Sequence, residues 1–250
     1  MKVIMVQSID RALNIIKLIA SDKGEWWSIS EIADSLCLPV STVHRLLNTL
    51  IQHRLVQQNQ HTKQYKLGSL WMEIGLRELE KADYRTKARE VMEVLALQVE
   101  ESIYFNIPDG KEAIIIERVD SPTNVRIIDK IGLRIPLHIG APNKTILAYM
   151  PEETIEANVK ELLPASKEKQ KELYGHLALI KEQGYATSFS ERTEGTLSVA
   201  APVFNFNHDI VGAISIGVVQ YRVSEERLSY LIHCIKKAAD EISTAIGRTT

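Results

Sequence analysis

Residues 39–52, "PVSTVHRLLNTLIQ", constrain the fold more than any other stretch of the chain. Proline is tolerated at the start of a helix, and hydroxyls in the first turn can cap free amides, so the spacing predicts a helix that begins at Pro39 with Ser41 and Thr42 near its cap. At roughly 100° per residue, Val43, Leu46, Leu47 and Leu50 gather on one side, an i, i+3, i+4, i+7 stripe that has to face a core. The other side carries Ser41, Thr42, His44, Arg45, Asn48, Thr49 and Gln52. A solvated helix commonly mixes Glu and Lys for i, i+4 pairing. This face holds no acid and is instead a set of groups able to bond base edges and phosphates.

The flanks support a nucleic-acid reading. Upstream, "SISEIADSLCLP" sets Ser28 three residues before Glu31, the spacing of a capping box, ahead of Ile32, Ala33 and Leu36 on one face. Two short helices joined by the tight turn "LCLPV" make a helix-turn-helix, whose second helix enters the major groove of double-stranded DNA. Downstream, "LVQQNQHTKQYKL" has β-prone residues on either side of a polar turn, which predicts a hairpin wing carrying His61, Lys63 and Lys66 toward a backbone or minor groove. The candidate DNA contacts are Ser41, Thr42, His44, Arg45, Asn48 and Lys63.

Charge agrees in sign. The first 75 residues hold 8 Lys+Arg against 6 Asp+Glu, the remainder 22 against 26, so the basic excess lies at the N-terminal end although the whole chain is at −2. Two cysteines are too few for a disulfide framework, and neither a leader nor an apolar run of membrane length is present, so a reduced, cytoplasmic protein without membrane contact is expected.

From Ser102 the pattern turns to strands. "SIYFNI", "EAIIIERV" and "NVRIIDKI" alternate, with Pro108-Asp109-Gly110 as the turn between the first two. Helices are expected from about Ala141 to Leu163 and from Ser166 to Glu182. "YATSFSE", "LSVAAPVF" and "IVGAISIGV" return as strands, and "SEERLSYLIHCIKKAADEISTAI" closes as an amphipathic helix. Six strands with segregated helices predict an α+β layer around an antiparallel sheet.

Taken together, "VQSIDRALNIIKLIA", the helix-turn-helix, "YKLGSLWMEIG", "PLHIGAPNKTILAYMP", "GYATSFSERTEGTLSVAAPVF" and "VGAISIGV" resemble an IclR-family transcriptional regulator, in the family's order and over nearly the whole chain. The resemblance implies an α+β protein with an N-terminal winged helix-turn-helix at 1–68, a linker helix at 69–83 and a C-terminal GAF-like effector domain at 84–250, its six-stranded antiparallel sheet flanked by helices. It implies a repressor whose operator affinity is set by a small molecule. The effector-binding positions it implies are Ser188, Thr196, Ser198, Ser215 and Gly217, with Asn143 and Lys144 from the "APNK" loop. Two residues depart from the pattern. Cys37 stands where the family has the turn glycine, and Asn143 where a glycine precedes the lysine. Both are small, and Asn tolerates left-handed backbone.

The residues add chemistry of their own. Ser198 and Ser215 stand among Val, Ala and Ile, where a core prefers carbon. Buried hydroxyls need partners, supplied either by nearby backbone or by a ligand. Amides beside Asn143 and Lys144 at a helix start favour an anionic group, so the expected effector is a small organic or sugar acid. A module reading one half-site through one helix implies a near-palindromic operator and a homodimer or dimer of dimers, paired through the N-terminal helix and the linker.

The alternative is a small-molecule enzyme, hydrolase-like through Ser215, with an appended DNA-binding module. "AISIG" nearly matches a nucleophile elbow, but Ser215 lies inside a β-branched run and His233 precedes Asp240, the wrong order for that machinery. "GAPNKT" lacks the glycine spacing of a phosphate loop. No histidine or cysteine spacing suits a metal. No catalytic residue, metal or cofactor is expected.

Overall fold

A computed structural model of the chain describes residues 6–21, 24–81, 83–124 and 126–247. They fall into two compact units, Met1–Lys81 and Ala82–Thr250. Among the described residues no helix is long and apolar enough to cross a membrane.

The first unit runs α1 (Gln7–Ile19), α2 (Ile29–Leu36), α3 (Val40–Gln52), β1 (Val56–Gln58), β2 (Tyr65–Leu67) and α4 (Leu70–Lys81). Helix α2 starts on the expected capping box: the Glu31 N–H donates to Ser28 Oγ at 3.3 Å, and the Ser28 N–H donates to the Glu31 carboxylate at 2.7 Å. It ends at Cys37, which takes the left-handed conformation, φ +52°, that glycine adopts freely. Helix α3 follows Pro39. No side chain caps it, contrary to the role expected of Ser41 and Thr42, and the Thr42 N–H bonds the Pro39 carbonyl at 2.9 Å instead. Proline presets the extended entry, so the hydroxyls are not needed there. Val43, Leu47 and Leu50 meet Ile15 of α1, Ile32 of α2, Trp27, Val56 and Tyr65 in one core, with Leu46 at its edge.

Helix α4 is tied to the winged unit, since Trp71 Nε1 donates to the Leu55 carbonyl at 2.9 Å. Gly68 makes that exit possible. A Cβ there would stand 2.0 Å from the Arg54 carbonyl oxygen. Gly68→Ala is therefore expected to destabilise the unit by about 1–3 kcal/mol, the range for overpacking a site whose neighbour is rigid backbone. A urea midpoint of the full chain equal to wild type would contradict this packing.

The second unit runs α5 (Asp83–Val99), β3 (Ser102–Asp109), β4 (Glu112–Val119), β5 (Arg134–Pro136), α6 (Ala141–Ala148), α7 (Glu152–Leu162), α8 (Lys167–Gln183), β6 (Ala186–Phe189), β7 (Thr196–Phe204), β8 (Ile210–Val219) and α9 (Glu225–Ala245). The six strands form one antiparallel sheet in the order β5-β4-β3-β8-β7-β6. Alternation sorts its faces. Ile103 and Phe105, Leu197 and Val199, Ile214 and Ile216 point to one side, where Met92 and Leu95 of α5 and Leu231, Ile235 and Ile242 of α9 close the larger core. The intervening residues Ala186, Ala200 and Ala213 point to the other side and pack against Ile146 and Leu147 of α6. Alanines let α6 sit close to the sheet over that part of the face.

Two elements differ from expectation. Residues 126–130 form no strand, and the third strand of that group is the short β5; Val125 lies outside the described residues. The reason is visible in the bonds: Tyr104 Oη donates to the Ile127 carbonyl at 2.7 Å and accepts from the Asp129 N–H at 3.2 Å, while Arg118 Nη1 donates to the Asp129 carbonyl at 2.8 Å. Side chains take backbone groups that a ladder would need. The expected helix over 141–163 is interrupted between Ala148 and Glu152, where Pro151 starts α7 and has no N–H to continue the preceding turn.

Candidate functional site

On α3, Ser41, His44, Arg45 and Asn48 are exposed and Thr42 is half-buried, all on the side opposite the Val43, Leu47 and Leu50 stripe. Little of their bonding capacity is spent. Asn48 Nδ2 lies 3.4 Å from His44 Nδ1 one turn away, and Arg45 has no ion pair among the described residues. In the β1–β2 hairpin, Asn59 Oδ1 accepts the N–H groups of His61 at 2.9 Å and Thr62 at 3.1 Å, an Asx turn that leaves Lys63 exposed at φ +59°. Lys66 has partners within the unit. Its Nζ lies 2.9 Å from the Glu25 carboxylate and 4.6 Å from the centre of the Trp26 ring, so its charge is engaged within the unit.

The second unit holds a cavity of about 80 Å³ on the part of the sheet face that α6 leaves uncovered. Strand register brings the expected residues together there: Ser188 on β6 opposes Ser198 on β7, and Ser198 opposes Gly217 on β8. Ser215 sits between Ala200 on β7 and Tyr104 on β3. Ser188, Thr196, Ser198, Ser215, Gly217 and Asn143 all line the space. A Cβ at Gly217 would stand 3.1 Å from the Tyr104 ring and 3.7 Å from Ile127, so glycine leaves that wall its place. The segment pinned by Tyr104 supplies the wall through Ile127 and Asp129.

The hydroxyls do not share one fate. Thr196 Oγ1 bonds the Thr193 carbonyl at 2.6 Å, so it is satisfied by nearby backbone. Ser188 stands near the Glu191 carboxylate and helps to hold its pKa down. Ser198 and Ser215 have no side-chain hydrogen bond among the described residues, and Ser215 is 3% exposed.

Lys144 does not line the cavity. It is buried at the first turn of α6, where its Nζ lies 2.5 Å from the Glu191 carboxylate, and the other Glu191 oxygen accepts the Gly140 N–H at 2.9 Å. The protein's own carboxylate thus fills the anion position expected at this helix start. Burial pushes the Glu191 carboxyl up, but the bonds from Lys144 and the Gly140 N–H outweigh it and hold the group below the usual carboxylate range. Glu191 faces the cavity from the β6–β7 connection, beside Arg192, which pairs with Asp129.

Against known sequences, residues 8–60 match the IclR helix-turn-helix domain, and residues 76–244 match the domain described as bacterial transcriptional regulator IclR C-terminal. The chain belongs to the IclR family of transcriptional regulators. It is similar to the HTH-type transcriptional regulator KipR of Bacillus subtilis, with 33% identity over 227 residues, 89% of this chain and 90% of that one. The crystal structure of the Thermotoga maritima IclR superimposes with a TM-score of 0.77 at 26% identity, covering 96% of this chain and 99% of that one. An IclR homolog from Microbacterium hydrocarbonoxydans, solved in complex with 4-hydroxybenzoate, shares the fold at a TM-score of 0.80 and 19% identity, covering 96% and 98%.

As an IclR-family chain, the protein is a DNA-binding transcriptional regulator, and the relatives it matches are named as regulators. The hydrolase-like alternative also lacks geometry. Ser215 is in mid-strand, with β8 continuing to Val219, whereas a nucleophile elbow needs a sharp strand-to-helix turn. Among the described residues no group of three His, Cys, Asp or Glu side chains is placed to hold a metal ion.

Sequence reasoning about this IclR-type cavity missed Tyr104, Asn106, Asp129, Glu191 and Arg192. Asn106 left a readable signal, a polar residue within "SIYFNI" two positions from Tyr104 and hence on the same face.

Proposed function

We propose that this regulator is a cytoplasmic repressor that binds a near-palindromic operator as a homodimer or dimer of dimers and is released by a small organic acid. The protein–DNA half rests on the acid-free face of α3, with Arg45 and Asn48 reading bases, Ser41, Thr42 and His44 beside them, and Lys63 on a phosphate. Apolar side chains exposed on α1 (Ile9, Leu13) and on α4 (Met72, Ile74, Leu76) support pairing of copies through those helices, with residues 69–83 as the linker between domains at 1–68 and 84–250.

The observation that carries the effector half is the pair of Ser198 and Ser215 hydroxyls, without hydrogen-bond partners among the described residues, lining a partly open cavity. The acid group takes the Gly140 N–H and Lys144 by displacing Glu191, whose loop is exposed and free of the core. The bound 4-hydroxybenzoate of the Microbacterium homolog is in keeping with an acid of that size.

The test is selection of binding sites from a random duplex pool, followed by footprinting with and without a panel of small organic and sugar acids. The expected result is two protected half-sites about one helical turn apart, or a multiple of it, lost on adding one of the acids. Protection of a single isolated half-site would overturn the symmetry, and a reporter gene activated by the bound protein would overturn repression.

A further inference from the structure

Asn106 lies in the middle of the sheet, at a bulge where the pairing of β3 with β4 shifts register between Phe105 and Asn106, and it is 1% exposed. A chain of bonds sets the orientation of its amide. The Ile139 carbonyl can only accept, so Asn143 turns its Nδ2 toward it, at 2.7 Å. That leaves Asn143 Oδ1 facing Asn106, whose Nδ2 donates to it at 3.1 Å. Flipping either amide would set oxygen against oxygen or nitrogen against nitrogen. Asn106 Oδ1 therefore faces away from Asn143. It is buried and has no hydrogen-bond partner among the described residues.

Both asparagines line the cavity. A buried amide oxygen with no donor has lost its water without replacement; Asn106 Oδ1 is closed off in this structure, so it regains a bond when something entering the cavity shifts the amide and brings a hydrogen to it. The other charged oxygens on the wall, those of Glu191 and Asp129, are already paired with Lys144 and Arg192. Among the described residues, Asn106 is the one side chain of the wall whose carbonyl or carboxylate oxygen has no donor, whereas the Ser198 and Ser215 hydroxyls can either donate or accept.

We propose that Asn106 Oδ1 is a specificity-determining acceptor of the cavity, and that the effector carries a hydroxyl or amide N–H donor in addition to its acid group. The proposal rests on reading the cavity as the effector site. An acid with only acceptors or hydrocarbon beyond its carboxylate leaves Asn106 unpaired, and a site built to bond a donor rejects the analogue that lacks it far more strongly than it rejects a change of size.

Calorimetry on the full chain tests this with matched acids that differ by one hydroxyl: glycolate and acetate, lactate and propionate, 4-hydroxybenzoate and benzoate. In at least one pair the hydroxylated member is expected to bind at least about 10-fold tighter to the wild type. Asn106→Val, which suits a strand and removes the oxygen, is expected to bring that ratio close to one. Asn143→Gly keeps Asn106 but frees its amide to present either end, and is expected to reduce the ratio without abolishing it, so the test stands even if the valine variant does not fold. Equal binding of both members of each pair by the wild type, or a ratio unchanged in both variants, overturns the role of Asn106 and leaves the cavity reading intact. Failure of every acid to bind, or binding that persists in Ser198→Leu, overturns the cavity reading and this proposal with it.

Discussion

Replacing Arg45 and Asn48 with alanine, singly and together, is expected to weaken operator binding by about 1–3 kcal/mol for each side chain that reads a base. Arg can take the two acceptors of guanine, and Asn the donor and acceptor of adenine, so each loss should also relax the sequence preference at one position of each half-site. The fold should survive. Both residues are exposed, and the stripe that holds α3 in its core runs through Val43, Leu47 and Leu50 on the other side. Anisotropy titrations at fixed salt measure the affinity, and a melting curve checks the fold. Lys63→Ala is the internal comparison: as a phosphate contact it should weaken all sequences alike and lower the salt dependence by about one released ion per site. Wild-type affinity in the Arg45 and Asn48 double variant, at an unchanged melting temperature, would remove α3 from the DNA interface.

Periodic features were legible in the sequence because they depend on neighbours in the chain. The Val43, Leu47 and Leu50 stripe needs only the pitch of one helix, and the Ser28 and Glu31 box needs only three residues of spacing. The cavity serines were legible partly through alternation, which sends Ser198 and Ser215 to one face and Val199 and Ile214 to the other, and partly through family resemblance. What was not legible depends on residues far apart. Lys66 reads as a wing contact, and its pairing with Glu25, 41 residues earlier, is not visible from the hairpin's own sequence. Lys144 reads as a ligand group, and nothing near it in the sequence announces that Glu191, 47 residues later, holds its charge in this structure. Asn106 gains its meaning from Asn143, 37 residues on, and from the Ile139 carbonyl behind it. The alternation in "NVRIIDKI" was real as a pattern, yet Ile127 faces a cavity and Tyr104 holds its carbonyl, so the period did not mean a ladder.

Ser198→Leu is expected to abolish the response to effector while the protein continues to bind its operator. Ser198 lies between Ser188 and Gly217 in one row across three strands, so a leucine there projects into the cavity and takes the volume a ligand needs. Because the added carbons enter existing space, the cost in stability should stay below the roughly 1–3 kcal/mol of overpacking a filled core. Val199, the next residue, supplies the contrast. It is fully buried in the core against α5 and α9 on the other face of the strand. Val199→Ser creates a void and buries a hydroxyl there, which should cost on the order of 2 kcal/mol or more, yet the molecules that remain folded should bind effector as the wild type does. The period of two along β7 thus predicts opposite outcomes for adjacent residues, response lost at 198 and stability lost at 199. Calorimetric heat and operator release measure the first, and a urea midpoint the second. If Ser198→Leu is released by the effector at wild-type concentrations, the ligand is held elsewhere and the cavity is structural.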